Sequence, residues 1–199
     1  MSRARVLADF IGGTTTISGN PTFSGTVAGA GAMSLVHSST ATSGTTLDFT
    51  GATTAFQSYL VLYGIDPSAD GGLTVQFYDA ADTPSLLTNA DYDQGGVNEG
   101  GGQAPSNAHN GTDIDIRTGI GGASAGEFYT GSFFFQNPMD SAHLTSIHGF
   151  NHGQGTSGPH VWNVYGGQKQ TAEQNKGFQL KITSGAIENA YLKVFGIEG

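Results

Sequence analysis

The chain has 199 residues, with 16 acidic and 7 basic side chains for a net charge of −9, and it contains no cysteine. Thiol chemistry, disulfide frameworks and zinc–thiolate sites are therefore excluded. Beyond Arg3 and Arg5 the cations are only Arg117, Lys169, Lys176, Lys181 and Lys193, too scattered to neutralise successive phosphates, so nucleic acid is not expected as a partner. No apolar run approaches 18 residues and no secretory leader pattern is read, so neither a membrane partner nor export is expected. With 32 glycines beside 12 Phe, 7 Tyr and 1 Trp, the composition is that of a turn-rich folded chain rather than a disordered one.

Residues 2–11, SRARVLADFI, are the best helical candidate, with Val6, Leu7, Phe10 and Ile11 at helical spacings. A helix this short is marginal alone. It is read as a frayed terminus or as an anchoring arm, in which Arg3 and Arg5 meet an acidic surface while Leu7 and Phe10 bury against it. Residues 12–32 have a different texture, with Ile17, Phe23 and Val27 set singly among Gly, Ser and Thr. So few apolar groups do not offset the entropy of ordering the backbone. The segment is either a linker or an extended stalk in which several chains wind together.

From residue 33 to 199 the pattern is that of one domain. Strands are predicted over 33–38, 45–50, 56–64, 73–79, 128–136, 143–151, 161–165, 178–183 and 190–197, separated by turn residues, which reads as an all-β, jelly-roll-like β-sandwich. Residues 56–78 show the two-residue period most clearly, as strand, turn, strand around Asp66, Pro67, Asp70, Gly71 and Gly72. Large side chains occupy both phases there, which predicts burial inside a sandwich or beneath a neighbouring subunit. Residues 58–66, SYLVLYGID, match 190–198, AYLKVFGIE, nearly position for position. The match predicts equivalent central strands with Tyr59 and Tyr191 both buried. Residues 82–125 are expected to be long polar loops in which only 112–117 is extended.

Candidate chemistry is sparse. Gly122, Ser124 and Gly126 satisfy the GxSxG pattern, but a nucleophile elbow needs a strand before and a helix after the serine, and a strand is expected after it. His148 and His152, with His143 and His160 nearby, suggest a metal site. On a strand, though, a four-residue spacing holds two histidines about 13 Å apart, beyond reach of one ion. Asp91, Asp93, Asp113 and Asp115 are oxygen donors of the kind calcium takes, without the order of an EF-hand. No catalytic residue and no cofactor are expected. Trp162, Tyr165 and His160 are the candidates for surface recognition, as a platform for sugar, although the alternating Val161 and Val164 read equally as an ordinary strand whose aromatics pack in the core or against a subunit.

Several stretches together resemble a known group. The opening Ser2-Arg3-Ala4-Arg5, followed by ISGNPTFSGTV at 17–27, is similar to the N-terminal arm of fibre and appendage proteins of tailed-bacteriophage virions. Tyr59 with PSADG at 67–71, the Phe-rich Ser132-Phe133-Phe134-Phe135, and the closing 185–197 resemble the β-sandwich that follows such arms. The resemblance implies a virion structural protein on the outer surface of the particle, assembled in the bacterial host cytoplasm. Such a protein decorates or cements the capsid, acts as a symmetric homo-oligomer such as a trimer, and is not an enzyme. Its implied partners are the major capsid protein or another virion protein, with Arg3, Arg5, Leu7 and Phe10 as the capsid anchor. The alternative within the same resemblance is a receptor-binding tail-fibre tip that recognises a host glycan. The separation of arm and sandwich by only about twenty residues departs from the long stalk usual in tail fibres.

Overall fold

The computed structural model describes residues 33–89, 91–98, 108–122, 127–156 and 160–198. The expected arm and stalk, with Arg3, Arg5, Leu7 and Phe10, lie outside the described residues, as does Ser124. Twelve strands are formed: β1 Met33–Ala41, β2 Thr46–Phe49, β3 Ser58–Pro67, β4 Gly71–Asp79, β5 Tyr92–Asn98, β6 Ala108–Gly111, β7 Ile114–Ile120, β8 Tyr129–Gln136, β9 Ser146–Gln154, β10 His160–Lys169, β11 Asn175–Ile182 and β12 Ile187–Ile197. They make two antiparallel sheets, one of eight strands in the order β1-β12-β3-β8-β9-β10-β5-β6 and one of four in the order β2-β11-β4-β7. No helix occurs among the described residues.

The core lies between the sheets because alternate side chains of each strand point the same way. Tyr59, Val61, Tyr63 and Ile65 of β3 and Phe133 and Phe135 of β8 are buried. Leu73, Val75 and Phe77 of β4 and Phe178 and Leu180 of β11 are buried with them in the same cluster. The Phe178 ring sits 5.1 Å from Phe133, 5.4 Å from Phe135 and 5.6 Å from Phe49, tilted or edge-on to each. Tilted and edge-on contacts are the geometry that aromatic quadrupoles prefer. The all-β sandwich expected from the pattern is therefore what the chain forms, although its strands divide eight and four.

Three expectations are corrected. First, β3 and β4 are not partners: residues 68–70 carry the chain from the large sheet to the small one, so the period at 56–78 marks a crossing of the core. Second, β12 is indeed an interior strand, between β1 and β3, but it does not repeat β3. Tyr59 is buried in the core whereas Tyr191 is only partly buried and stacks on Phe128, 6.2 Å between centroids. On β12 the inward set is Ala190, Leu192 and Val194, so the two matched stretches run with opposite phase. Third, 112–117 is not the one extended part of residues 82–125, since among the described residues of that span β5, β6 and β7 arise. Ile114, Ile116 and Ile120 of β7 join the core. β5 is held by Tyr92, whose hydroxyl accepts from the Phe77 amide at 2.9 Å and donates to the Leu87 carbonyl at 3.1 Å.

A polar knot closes the sandwich beneath β8, β9 and β10. The Tyr129 hydroxyl donates to Asn151 Oδ1 at 2.5 Å, and Asn163 Nδ2 donates across the sheets to the Ile116 carbonyl at 2.6 Å. The Tyr63 and Tyr165 hydroxyls approach to 3.4 Å. Burial pushes all three phenols above their ordinary value. Gly131 makes room for this group, because a Cβ there would collide with the Tyr63 hydroxyl and lie 2.8 Å from Asn151 Cβ. Gly131→Ala is expected to cost about 2 kcal/mol through overpacking, read as a lower denaturation midpoint in urea at unchanged slope.

Candidate functional site

One face of the eight-stranded sheet packs on the small sheet; the other carries an unusual set of side chains. On β9, Ile147 and Asn151 point inward while His148, Phe150 and His152 are exposed. On β10, Val161, Asn163 and Tyr165 point inward while His160, Trp162 and Val164 are exposed. β8 contributes Phe134, and β5 contributes Val97. The run Phe133-Phe134-Phe135 forces this outcome, since three consecutive aromatics on a strand place one on the face opposite the other two.

Antiparallel register assembles these side chains into rows across the strands. One row runs Leu35, Phe195, Leu60, Phe134 and His148 through β1, β12, β3, β8 and β9. The last two rings stack, with centroids 5.2 Å apart and planes 21° from parallel. The next row runs Lys193, Leu62, Ser132, Phe150, Val164 and Val97. Trp162 lies one row further, opposite His152. Phe150 is 57% exposed, Val97 53%, Val164 52% and Trp162 45%. Isolated exposed apolar residues are ordinary, but a contiguous group of this kind marks a contact surface.

The residues expected to recognise a surface do not act together. Trp162 and His160 point outward from β10, whereas Tyr165, on the opposite phase, is 3% exposed and hydrogen-bonded within the core. Tyr165 is therefore a core residue, a correction that follows from the two-residue period of its strand. His148 and His152 share the outward face of β9 with Phe150 between them. His143 lies on the β8–β9 loop, its Nδ1 2.6 Å from Asp140 Oδ2. Among the described residues no group of three or more His, Cys, Asp or Glu side chains converges to hold a metal.

The acidic residues of 91–115 have other work. Asp91 Oδ2 meets the buried ammonium of Lys169 and accepts from Thr171 Oγ1 at 3.0 Å. Asp115 Oδ2 accepts from Gln94 Nε2 at 3.1 Å, and Asp93 Oδ1 from Gln170 Nε2 at 2.8 Å. Burial, and then the neighbouring Asp115, raise the Asp113 carboxyl above its ordinary range. These contacts tie β5 and β7 to the β10–β11 loop. At one end of the sandwich an open cleft of about 340 Å³ is lined by Phe56, Gln57, Asn137, Met139 and Asp140, and its one carboxylate is engaged by His143 and the Ala142 amide. Among the described residues, the outer face of the eight-stranded sheet thus gathers most of the exposed large apolar side chains. No protein-family model, curated protein or solved structure matches the chain.

Proposed function

We propose that this chain is a structural protein of a tailed-bacteriophage virion, which decorates or cements the capsid and works by association rather than by chemistry. The observation that carries the reading is the outer face of the eight-stranded sheet, broad, aromatic and nearly free of charge on a chain of net charge −9. A surface of that kind is suited to permanent burial against protein. The resemblance of the N-terminal stretch and of the sandwich motifs to virion appendages supplies the particle as the setting. In this reading Arg3, Arg5, Leu7 and Phe10 anchor the chain to the major capsid protein or another virion protein, and residues 12–32 space the sandwich from it.

Deleting residues 2–11 is expected to abolish co-sedimentation of the chain with intact particles while leaving the sandwich's thermal midpoint unchanged. Retained co-sedimentation would refute the anchoring role. A second reading, recognition of a host glycan, draws on exposed Trp162 and His160, two of the three side chains the sequence nominates for it.

A further inference from the structure

We infer that the outer face of the eight-stranded sheet is a self-association surface, and that its occupant is the same face of a second copy related by a two-fold axis. The inference rests on the reading of the chain as an association protein, and it names the partner and the geometry.

The first argument is area. Eight strands spaced about 4.8 Å apart, each presenting about six residues at roughly 3.4 Å, give a face of roughly 800 Å². That is about what each partner contributes to a stable interface of standard size. The second argument is charge. A chain carrying −9 repels its own copies, so it associates with itself only through a surface where that charge is absent. Histidines apart, the strands β12, β3, β8, β9, β10 and β5 turn outward Lys193 and Asp93 among acidic and basic side chains, with Asp66 and the exposed Glu188 beside it together at one end.

The third argument is shape. A single continuous sheet face covers itself most completely by meeting its own copy, with sheets stacked about 10 Å apart. That contact is isologous and closes at two chains. A three-fold ring instead needs two different patches on each chain. The order of strands suits the two-fold. β8 and β9 are the two middle strands of the eight, so an axis running along them lays β12 of one copy over β5 of the other. Phe134 and Phe150 then lie at the centre, where side chains dominate binding.

The test is the mass of the full chain in solution, by light scattering and sedimentation over a wide range of concentration. Wild type is expected at twice the 20.4 kDa of one chain. Phe150→Asp and, separately, Val164→Lys are expected to weaken association about 100-fold or more, because each charge is buried twice across the axis. Both side chains are more than half exposed in the single chain, so circular dichroism and thermal unfolding at a concentration where both proteins are monomeric should be unchanged. The same charge placed at Ala172, exposed on the β10–β11 loop, should leave the mass of wild type.

A wild-type chain that stays monomeric overturns the inference, as does an oligomer indifferent to Phe150→Asp. A trimer overturns the two-fold geometry. Phe150→Asp that loses binding to neutral polysaccharides with no change of mass overturns self-association and assigns the face to glycan. None of these outcomes touches the particle-association assay, so failure of the dimer and failure of the virion reading are told apart.

Discussion

Phe178→Ala is expected to lower the free energy of unfolding by about 4 kcal/mol, the middle of the range for aromatic truncation in a core. Phe178 is fully buried on β11 and its ring touches Phe49 from its own sheet and Phe133 and Phe135 from the other. Alanine removes the transfer energy of the ring and leaves a cavity that three neighbouring rings, held by β2 and β8, fill only in part. Because Phe178 bridges the sheets at the centre of the small one, no other side chain substitutes for it. Denaturant unfolding read by both tyrosine fluorescence and far-ultraviolet circular dichroism measures the loss. Phe150→Ala supplies the contrast, since its exposed ring should change monomer stability by less than about 0.5 kcal/mol. Equal costs at the two positions would mean that the inner and outer faces have been assigned the wrong way round.

Asp91→Ala is expected to cost about 3 kcal/mol, more than the roughly 1 kcal/mol of Lys169→Met, although both break the same pair. The asymmetry comes from burial. Lys169 is 2% exposed, with its ammonium against Asp91 Oδ2 and 3.2 Å from Glu173 Oε1, and 5.7 Å from the centre of the Tyr92 ring. Removing Asp91 leaves a buried cation with Glu173 as its one remaining carboxylate partner, whereas methionine keeps the packing of the lysine stem and leaves behind carboxylates nearer the surface. The pair also has a pH signature. The hydrogen bond from Lys169 holds the Asp91 carboxyl below its ordinary range, helped by Thr171. A depressed folded value means that the contribution is complete above the unfolded value of about 3.9 and is lost as pH falls through the folded one. Unfolding free energy measured from neutral pH down to acid should therefore fall more steeply below about pH 4 in wild type than in Asp91→Ala. Parallel curves would show that the pair contributes nothing to acid sensitivity.

Much of the fold was legible because period and turn chemistry are local. The alternation at 58–65 and 73–77, the Phe-rich run at 133–135 and the turn residues between them predict strands where strands stand. The glycine-rich strand β5 was not legible. Tyr92 and Val97 are its only large apolar side chains, and it is a strand because β10 pairs with it from Asn163 to Lys169. The close fit at Gly96, where a Cβ would come 2.9 Å from the Val164 carbonyl oxygen, belongs to that pairing and has no trace in composition. The likeness of 58–66 to 190–198 misled for a related reason. Residue type repeats, but the face each residue takes is set by register with its neighbours, and a one-residue change of phase reverses every side chain.

The surface-recognition residues divide along the same line. Trp162 and Tyr165 are both aromatic and three apart, so they take opposite faces of β10, and nothing in their chemistry says which is inside. The consecutive Phe133, Phe134 and Phe135 did carry the signal for the outer face, since an aromatic must emerge there on any strand.

By itself, then, the order of residues determined an all-β fold, its strand positions over most of the described length and the lack of thiol chemistry, because each depends on residue type and short-range spacing. Only the tertiary structure decided that β3 and β4 belong to different sheets, that β12 lies beside β3 with inverted phase, and that Phe134, Phe150, Val164 and Val97 come together on one outward face. Those facts depend on which strands pair and in what register, and pairing is chosen by the burial of the whole core rather than by any segment of it.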